Sequence, residues 1–138
     1  MMKKIILCFA LALITSVALC QKEKVKIIFD VTSSDTEVHK TAVRHVKGMS
    51  EAYPESEFEM VIYSGALPMM LKSESSVKTE IESLAKSDNV SLKVCAVSLK
   101  KNNATEQDLI SGVGTVPDGI IEIVTKQNQG WGYIKEAN

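Results

Sequence analysis

One cysteine in the second half of the sequence could carry out covalent chemistry. Cys95 stands near the end of the apolar run LKVCAV (92–97), directly before the chain becomes polar at SLKKNN. A thiolate is a nucleophile, whereas a thiol in apolar surroundings packs as a small hydrophobic side chain. The residue type alone therefore leaves two interpretations of Cys95 open, a working nucleophile and a buried packing residue.

A histidine could serve that thiol. His39 falls in the first turns of a predicted helix, on the arc of the helix surface that also carries Val38, Ala42 and Val46, so it should point inward. The helix N-terminus favours a neutral imidazole, which can accept a proton. His39 is thus a candidate neighbour of Cys95. The alternative is an inward histidine that a hydrogen bond satisfies and that has no chemical role.

Motifs for cofactors and metals are absent. The hydroxyl-rich loop 32–36 leads into a helix N-terminus, where backbone N–H groups either bind an anion or are capped by side chains. The sequence contains no G-x-G-x-x-G, no G-x-x-x-x-G-K-[ST], no C-x-x-C and no H-E-x-x-H. The second histidine, His45, falls on the border of the inward arc, so the two histidines do not share it. We therefore expect neither a cofactor nor a metal site.

Strands and helices alternate along the chain. Apolar and β-branched runs predict strands at 24–31, 57–64, 90–97, 114–116 and 131–135. Apolar residues repeating every three to four positions, or shorter helical signals, predict helices at 34–53, around 77–84, over one turn at 98–103, and from Pro117 onward. Ser34 and Glu37 are spaced as a capping box, as are Thr105 and Asp108.

This alternation predicts a single α/β domain over residues 21–138. Parallel neighbouring strands need a crossover connection, so helices between strands favour a mainly parallel sheet of four or five strands, covered on both faces in three layers, as in flavodoxin-like proteins. In such sheets ligand sites form beyond the carboxyl ends of the strands. Cys95 and the loop 32–36 both fall at that edge.

The first twenty residues predict a signal peptide. MMKK is followed by sixteen uncharged residues, which is short for a membrane span of about 20 residues. We expect cleavage before Gln21 and export to the periplasm or the medium, without membrane attachment afterwards. A lipoprotein acylated at Cys20 is the alternative. Because Cys8 and Cys20 both lie in the predicted signal, Cys95 would be the one thiol of the exported chain and could not form an internal disulfide.

The charge composition argues against polyanionic partners. The chain carries 16 Lys and Arg against 17 Asp and Glu, a net charge of −1 with histidine neutral, and it has no basic stripe. Nucleic acids and acidic membranes attract proteins with clustered basic residues. We therefore expect no nucleic-acid partner.

Three segments together resemble the DsrE/DsrF-like family of small α/β sulfur-relay proteins. They are KIIFDVTSSDTEVHKTAVRHV, LKVCAVSLKK and DLISGVGTVPDGIIEIVTKQNQGWGYIK, and they span nearly all of residues 21–138. The last segment, with V-P-x-G and K-Q-x-x-G-W-x-Y-I-K, is the most specific of the three. The chain is most similar to the exported branch of that family.

The resemblance implies a function in sulfur transfer. It implies a parallel sheet, subunits assembled as trimers or hexamers, and a cysteine at the position of Cys95 that accepts and passes on persulfide sulfur. In that function His39, the candidate neighbour inferred from its position on the predicted helix, would orient the thiol or accept its proton. The sequence does not identify the sulfur donor or the sulfur acceptor. It also leaves open whether the chain is an enzyme. The alternative is a non-catalytic oligomeric protein, a small-ligand binder or scaffold, in which Cys95 is inert.

Overall fold

Strands and helices alternate through the whole computed structural model, which describes residues 23–137. The strands are β1 (Lys26–Val31), β2 (Glu57–Ile62), β3 (Val90–Cys95), β4 (Gly114–Val116) and β5 (Gly132–Glu136). The α-helices are α1 (Thr36–Ala52), α2 (Lys78–Leu84), α3 (Ala96–Lys101) and α4 (Gly119–Asn128), and two 3-10 segments cover Ser64–Met70 and Glu106–Asp108. The predicted signal peptide lies outside the described residues and stays a prediction.

The five strands form one sheet in the order β4-β3-β2-β1-β5, and every pair of neighbours is parallel. Each strand reaches the next through a helix or 3-10 segment, which is what parallel pairing requires. The prediction of a three-layer α/β domain with a mainly parallel sheet is therefore confirmed, with five strands. In residues 23–137 no helix combines the length and the apolar character needed to cross a membrane.

One face of the sheet is an apolar core. Alternate residues of the strands, such as Phe29 on β1, Met60 on β2 and Val94 on β3, point to this face and are buried. Helix α1 packs against it with Val38 and Val46, and α2 and the segment Ser64–Met70 complete the layer. The strict alternation of side chains along a strand assigns all these residues to one side.

The opposite face is covered by α4 and is partly polar. Ile28 and Val61 pack there against Ile123 of α4. Two carboxylates, Asp30 and Glu59, point to the same side and are also buried. The sheet therefore has two unlike faces, and the residues of one face do not meet those of the other.

Three predicted element ends differ from the structure. Helix α1 is capped by Asp35, whose Oδ1 accepts the N–H of Glu37 at 2.8 Å, and not by Ser34. Strand β3 stops at Cys95, because α3 begins at the next residue and removes the last predicted strand positions. Helix α4 starts at Gly119 behind the N-cap Asp118 rather than at Pro117.

Candidate functional site

Cys95 is both the last residue of β3 and the N-cap of α3. Its neighbour Val94 points into the apolar core, so Cys95 points to the α4 side of the sheet. The residue is 5% exposed. A β-carbon added to Gly119, the first residue of α4, would lie 3.3 Å from the Cβ of Cys95. The thiol is thus enclosed by the sheet, its own helix and α4.

Cys95 lines a pocket of about 200 Å³ at the carboxyl edge of β2 and β3. The pocket combines the thiol with apolar side chains, two serine hydroxyls, a phenol, one cation and one carboxylate; its lining is Tyr63, Ser64, Cys95, Val97, Ser98, Lys101, Asp118 and Ile120. A space of this size admits a small group or the end of a peptide, and is below the size range of sites for large cofactors. The pocket lies where ligand sites form in parallel α/β sheets.

Ser64 has an unusual backbone conformation at this pocket. Its φ of 56° lies in the left-handed region, which residues other than glycine rarely adopt. The Ser64 N–H donates to the hydroxyl oxygen of Ser98 at 3.0 Å, which holds the chain in this conformation. Backbone strain of this kind costs on the order of 1 kcal/mol and concentrates at functional sites.

Gly119 allows α4 to approach the sheet at the thiol. A side chain at this position would meet the Tyr63 Cδ1 and Val61 Cγ1 atoms at 3.2 Å each, as well as Cys95. The preceding Asp118 caps the helix by accepting the N–H groups of the first turn. The absence of a side chain at Gly119 is therefore a requirement of the packing around Cys95.

A buried carboxylate lies behind the pocket at the end of β1. Asp30 is 4% exposed. Its Oδ2 accepts the phenol of Tyr133 at 2.7 Å, and the Lys135 ammonium lies 3.1 Å from Oδ1. Lys135 also donates to the Thr32 hydroxyl at 2.6 Å. The ammonium and the phenol both belong to β5, so the last strand supplies the groups that compensate the buried charge of Asp30 on β1.

Tyr63 connects this carboxylate to the thiol pocket. Burial raises the pKa of Tyr63 to about 12, and the negative charge of Asp30 and that of a Cys95 thiolate act in the same direction. Burial and the hydrogen bond to Asp30 likewise raise the pKa of Tyr133 to about 12. Both phenols therefore stay protonated at neutral pH and remain hydrogen-bond donors.

A second buried carboxylate on this face is paired separately. Glu59 contacts Lys126 of α4 at 2.8 Å, and the indole ring of Trp131 covers the same ammonium at 4.3 Å from its centroid. Burial raises the pKa of Glu59, while Lys126 opposes the shift and Glu122 adds to it. In the part of the chain that the structure describes, no group of three or more His, Cys, Asp or Glu could hold a metal ion.

His39 and Cys95 belong to different faces of the sheet. His39 is 2% exposed, as the helical position predicted, but α1 packs on the apolar face, whereas Cys95 points to the face covered by α4. The His39 Nε2–H donates to the Ser33 carbonyl at 2.7 Å. This placement on opposite faces of the sheet argues against the expected contact between the two side chains. A side chain that points inward from a helix faces the sheet, but it does not have to meet side chains that point to the other face of that sheet.

The remaining predicted polar features have structural partners. In the loop 32–36, the Ser33 hydroxyl accepts the N–H of Asp35 at 3.1 Å, and Asp35 caps α1. His45 is half exposed, and its Nδ1 lies 2.9 Å from the Oε1 atom of Glu136, the last residue of β5. These contacts connect the first helix to the loop before it and to the last strand.

The sequence interpretation missed four residues around the thiol: Asp30, Tyr63, Ser98 and Gly119. Two of them carried a visible signal. Asp30 is an acidic residue inside the apolar run KIIFDV, which is costly unless it is paired, and Ser98 follows Cys95 by one helical turn. Tyr63 and Gly119 carried none, because their importance arises from the approach of α4, which the local pattern does not contain.

Comparisons with known proteins bear on the family and the fold. The family model described as DsrE/DsrF-like family matches residues 23–135. A protein of unknown function, MTH1491 from Methanobacterium thermoautotrophicum, has a similar structure with a TM-score of 0.75 and 22% identity, covering 81% of this chain and 99% of its own. The ychN protein from E. coli is also similar, with a TM-score of 0.68 and 16% sequence identity, covering 83% of this chain and 99% of its own. No curated protein matches the sequence.

Replacing Asp30 should change the titration of two tyrosines. In Asp30→Asn the pKa values of Tyr63 and Tyr133 should fall from about 12, while staying above the ordinary value of about 10 because burial remains. Ultraviolet absorbance titration measures both, with Tyr63→Phe and Tyr133→Phe to assign them. In the wild type, the stability that the raised pKa values of the two tyrosines contribute should be complete below the pKa of tyrosine in the unfolded chain. It should be lost as the pH rises through about 12. Glu55→Gln, at an exposed carboxylate, is the control, and tyrosine titrations equal to wild type in Asp30→Asn would contradict this account.

Adding a methyl group at Gly119 should loosen the thiol pocket. Gly119→Ala should displace α4 from Tyr63 and Val61, lower the free energy of unfolding by about 1–3 kcal/mol, and speed alkylation of Cys95. Gly48→Ala in α1 is the matched control. A β-carbon there meets nothing within 4 Å, so this variant should gain about 0.5–1 kcal/mol. Denaturant melts and alkylation rates measure both. A Gly119→Ala protein with wild-type stability and reactivity would show that the close packing is unimportant.

Proposed function

The chain belongs to the DsrE/DsrF-like family, a family of sulfur-relay proteins, and from that membership we propose that it carries or transfers sulfur as a persulfide on Cys95. The observation that supports this assignment most is the position of the thiol. Cys95 ends a central strand at the carboxyl edge of the sheet and lines a small pocket. It is the one cysteine among the residues that the structure describes.

The proposed reaction has two displacement steps. In the first, the Cys95 thiolate attacks the outer sulfur of a donor persulfide R–S–SH. The donor S–S bond breaks, and its electron pair leaves with RS⁻, which takes up a proton. In the second, an acceptor thiolate attacks the outer sulfur of the Cys95 persulfide, and the Cys95 thiolate leaves. No oxidant or reductant is needed, because one S–S bond replaces another.

The pocket lining suits an anionic sulfur group. Lys101 supplies a positive charge at the pocket, and the hydroxyls of Ser64 and Ser98 supply polar contacts. Val97 and Ile120 form an apolar rim. The carboxylate of Asp118 is already bound to the N–H groups of Ile120 and Ile121. In this proposal Lys101 attracts the donor, and His39, on the other side of the sheet, has no part in the exchange.

Sulfur loading should depend on Cys95 and not on His39. After incubation with a panel of sulfane-sulfur donors, the wild-type peptide that contains Cys95 should gain the mass of one sulfur atom. Cys95→Ser should gain none, because an alcohol does not form a persulfide under these conditions, while its fold should persist. His39→Ala should load at the wild-type rate, with lower stability from the lost bond to Ser33.

Two results would count against this assignment. No sulfur uptake by the wild type from any donor would remove the persulfide role of Cys95. A loss of about 10²-fold in loading for His39→Ala would be the effect of a positioned acid–base group and would require His39 to act on Cys95 after all.

A second candidate function rests on the burial of the thiol. Cys95 is only 5% exposed, which is also what an inert packing cysteine shows. In that case the pocket would belong to a non-catalytic small-ligand binder or scaffold. Alkylation separates the two functions: an inert Cys95 resists alkylation in the native protein and reacts only when the protein is unfolded.

We also propose that the chain forms a homo-oligomer, a trimer or hexamer. Four exposed apolar side chains, which we term the α4 patch, lie on α4 and at the start of α3; they are Val97, Ile120, Ile121 and Val124. Clusters of exposed apolar side chains are typical of protein interfaces. The α4 patch borders the pocket of Cys95, because Val97 and Ile120 belong to both.

Charge in the α4 patch should dissociate this oligomer. Light scattering at micromolar concentration should show a trimer or larger for the wild type and a monomer for Ile121→Asp and Val124→Asp, because a carboxylate is costly to bury in an apolar interface. Lys47→Asp, at an exposed position of α1, is the control and should leave the assembly intact. A monomeric wild type would remove the proposal.

A further inference from the structure

A groove of about 400 Å³ lies between α1 and α2, away from the thiol pocket. Val43 of α1 and Val77, the N-cap of α2, line it and are almost completely buried, so they form an apolar floor. Both helices cover the apolar face of the sheet, whereas Cys95 points to the face that α4 covers. The groove is therefore separate from the site of Cys95, and its volume lies in the range of small-molecule sites.

A glycine leaves space in one wall of this groove. Gly48 lies in the interior of α1 and lines the groove. Glycine inside a helix is destabilising relative to alanine. The packing of the chain does not require a glycine there, because a β-carbon added at this position would meet nothing within 4 Å. The absence of a side chain at Gly48 thus has one visible effect, which is to widen the groove.

Two charges of opposite sign stand on the two walls of the groove without a partner. Five charged side chains line it. Lys40 and Lys47 contact glutamates of their own helix at 2.7 and 4.0 Å, and the second of these glutamates, Glu51, also belongs to the lining. Within residues 23–137, Arg44 of α1 and Glu80 of α2 form no ion pair, either with each other or with a third residue. One cation and one anion therefore remain free above the apolar floor.

We propose that this groove binds a small zwitterion with an apolar body, of the size of a dipeptide. The carboxylate of the ligand accepts hydrogen bonds from Arg44, whose planar guanidinium matches a carboxylate. The ammonium of the ligand contacts Glu80 on the opposite wall. The apolar side chains of the ligand lie on Val43 and Val77, in the space that Gly48 leaves open.

The separation of the two free charges selects a dipeptide over a single amino acid. An amino acid carries its ammonium and carboxylate on one carbon, so it does not reach two walls whose own charges do not touch. In an extended dipeptide the two ends are separated by two residues, about 7 Å. This binding needs neither a thiol nor a persulfide, so it is independent of the function proposed for Cys95.

Four peptides test the ligand chemistry on the purified wild-type protein. Isothermal titration calorimetry should show binding of dileucine at millimolar concentration or below, and the melting temperature should rise with it. N-acetyl-dileucine lacks the ammonium and dileucine amide lacks the carboxylate, so each should bind roughly 10-fold more weakly. Diglycine keeps both charges but has no apolar body, and it should not bind measurably.

Variants of the two free charges test the orientation of the ligand. Arg44→Gln should bind dileucine roughly 10-fold more weakly and should no longer distinguish dileucine from its amide. Glu80→Gln should lose the distinction between dileucine and N-acetyl-dileucine instead. Glu82→Gln removes a carboxylate of α2 that does not line the groove, and it should bind all four peptides as wild type does.

Variants of the glycine test the space. Gly48→Leu should abolish dileucine binding, because the added side chain occupies the groove while leucine is a good helix former. Gly48→Ala should bind dileucine more weakly than wild type although it is the more stable protein. Cys95→Ser should bind dileucine as wild type does, whatever its sulfur loading shows, so the two proposals stand or fall separately.

Three results would overturn the inference. The first is no binding of dileucine to the wild type at millimolar concentration. The second is wild-type affinity in Arg44→Gln, Glu80→Gln and Gly48→Leu, which would place any bound dileucine elsewhere on the protein. The third is a coupling between Arg44→Gln and Glu80→Gln in the free energy of unfolding without ligand, since the two residues would then pair with each other in solution.

Discussion

Two buried carboxylates on one face of the sheet determine how the rest of the chain must be arranged. Asp30 and Glu59 are almost completely removed from water, and a buried charge without a partner would cost several kcal/mol. Lys135 and Lys126 provide the opposite charges. Because these lysines lie on β5 and α4, the last strand has to pair with β1, and the last helix has to cross the face that the carboxylates occupy. The apolar face imposes no such requirement, since apolar contacts are not directional.

The site of Cys95 is a consequence of the same arrangement. Helix α4 covers the polar face closely enough to leave no room for a side chain at Gly119, and its N-terminus forms one wall of the thiol pocket. Tyr63 lines the pocket, and the Lys135 ammonium that pairs with Asp30 lies 5.8 Å from the centroid of its ring, so the pocket adjoins the charged cluster. The thiol thus lies at a boundary between fixed charge and the exposed apolar residues of α3 and α4.

The sequence was sufficient to predict the fold and to place Cys95 at the carboxyl edge of the sheet, but it did not predict the surroundings of His39. Runs such as KIIFDV and VSLKVC predict strands, the spacing of Val38, Ala42 and Val46 predicts a helix, and together they place Cys95 at the carboxyl edge. The pattern fails where two faces must be distinguished. His39 does point inward, but nothing in the residues near it tells on which side of the sheet the inward direction lies. Strand alternation at Val94 and Cys95 decides that question, and it needs the sheet as a whole.

The distance along the chain between charge and countercharge has a consequence for biosynthesis. Asp30 is paired with Lys135, which lies on the same strand as its phenol donor Tyr133, 103 residues away, and Glu59 is paired with Lys126 across 67 residues. A ribosome-bound chain that has released β1, β2 and β3 therefore holds both carboxylates without their cations and has an unpaired edge at β1. Burying the polar face of such an intermediate would stabilise it little, because the carboxylates would lose their hydration before the lysines that compensate for it have been synthesised. The native state is therefore reached only after translation has delivered α4 and β5, which carry the two lysines.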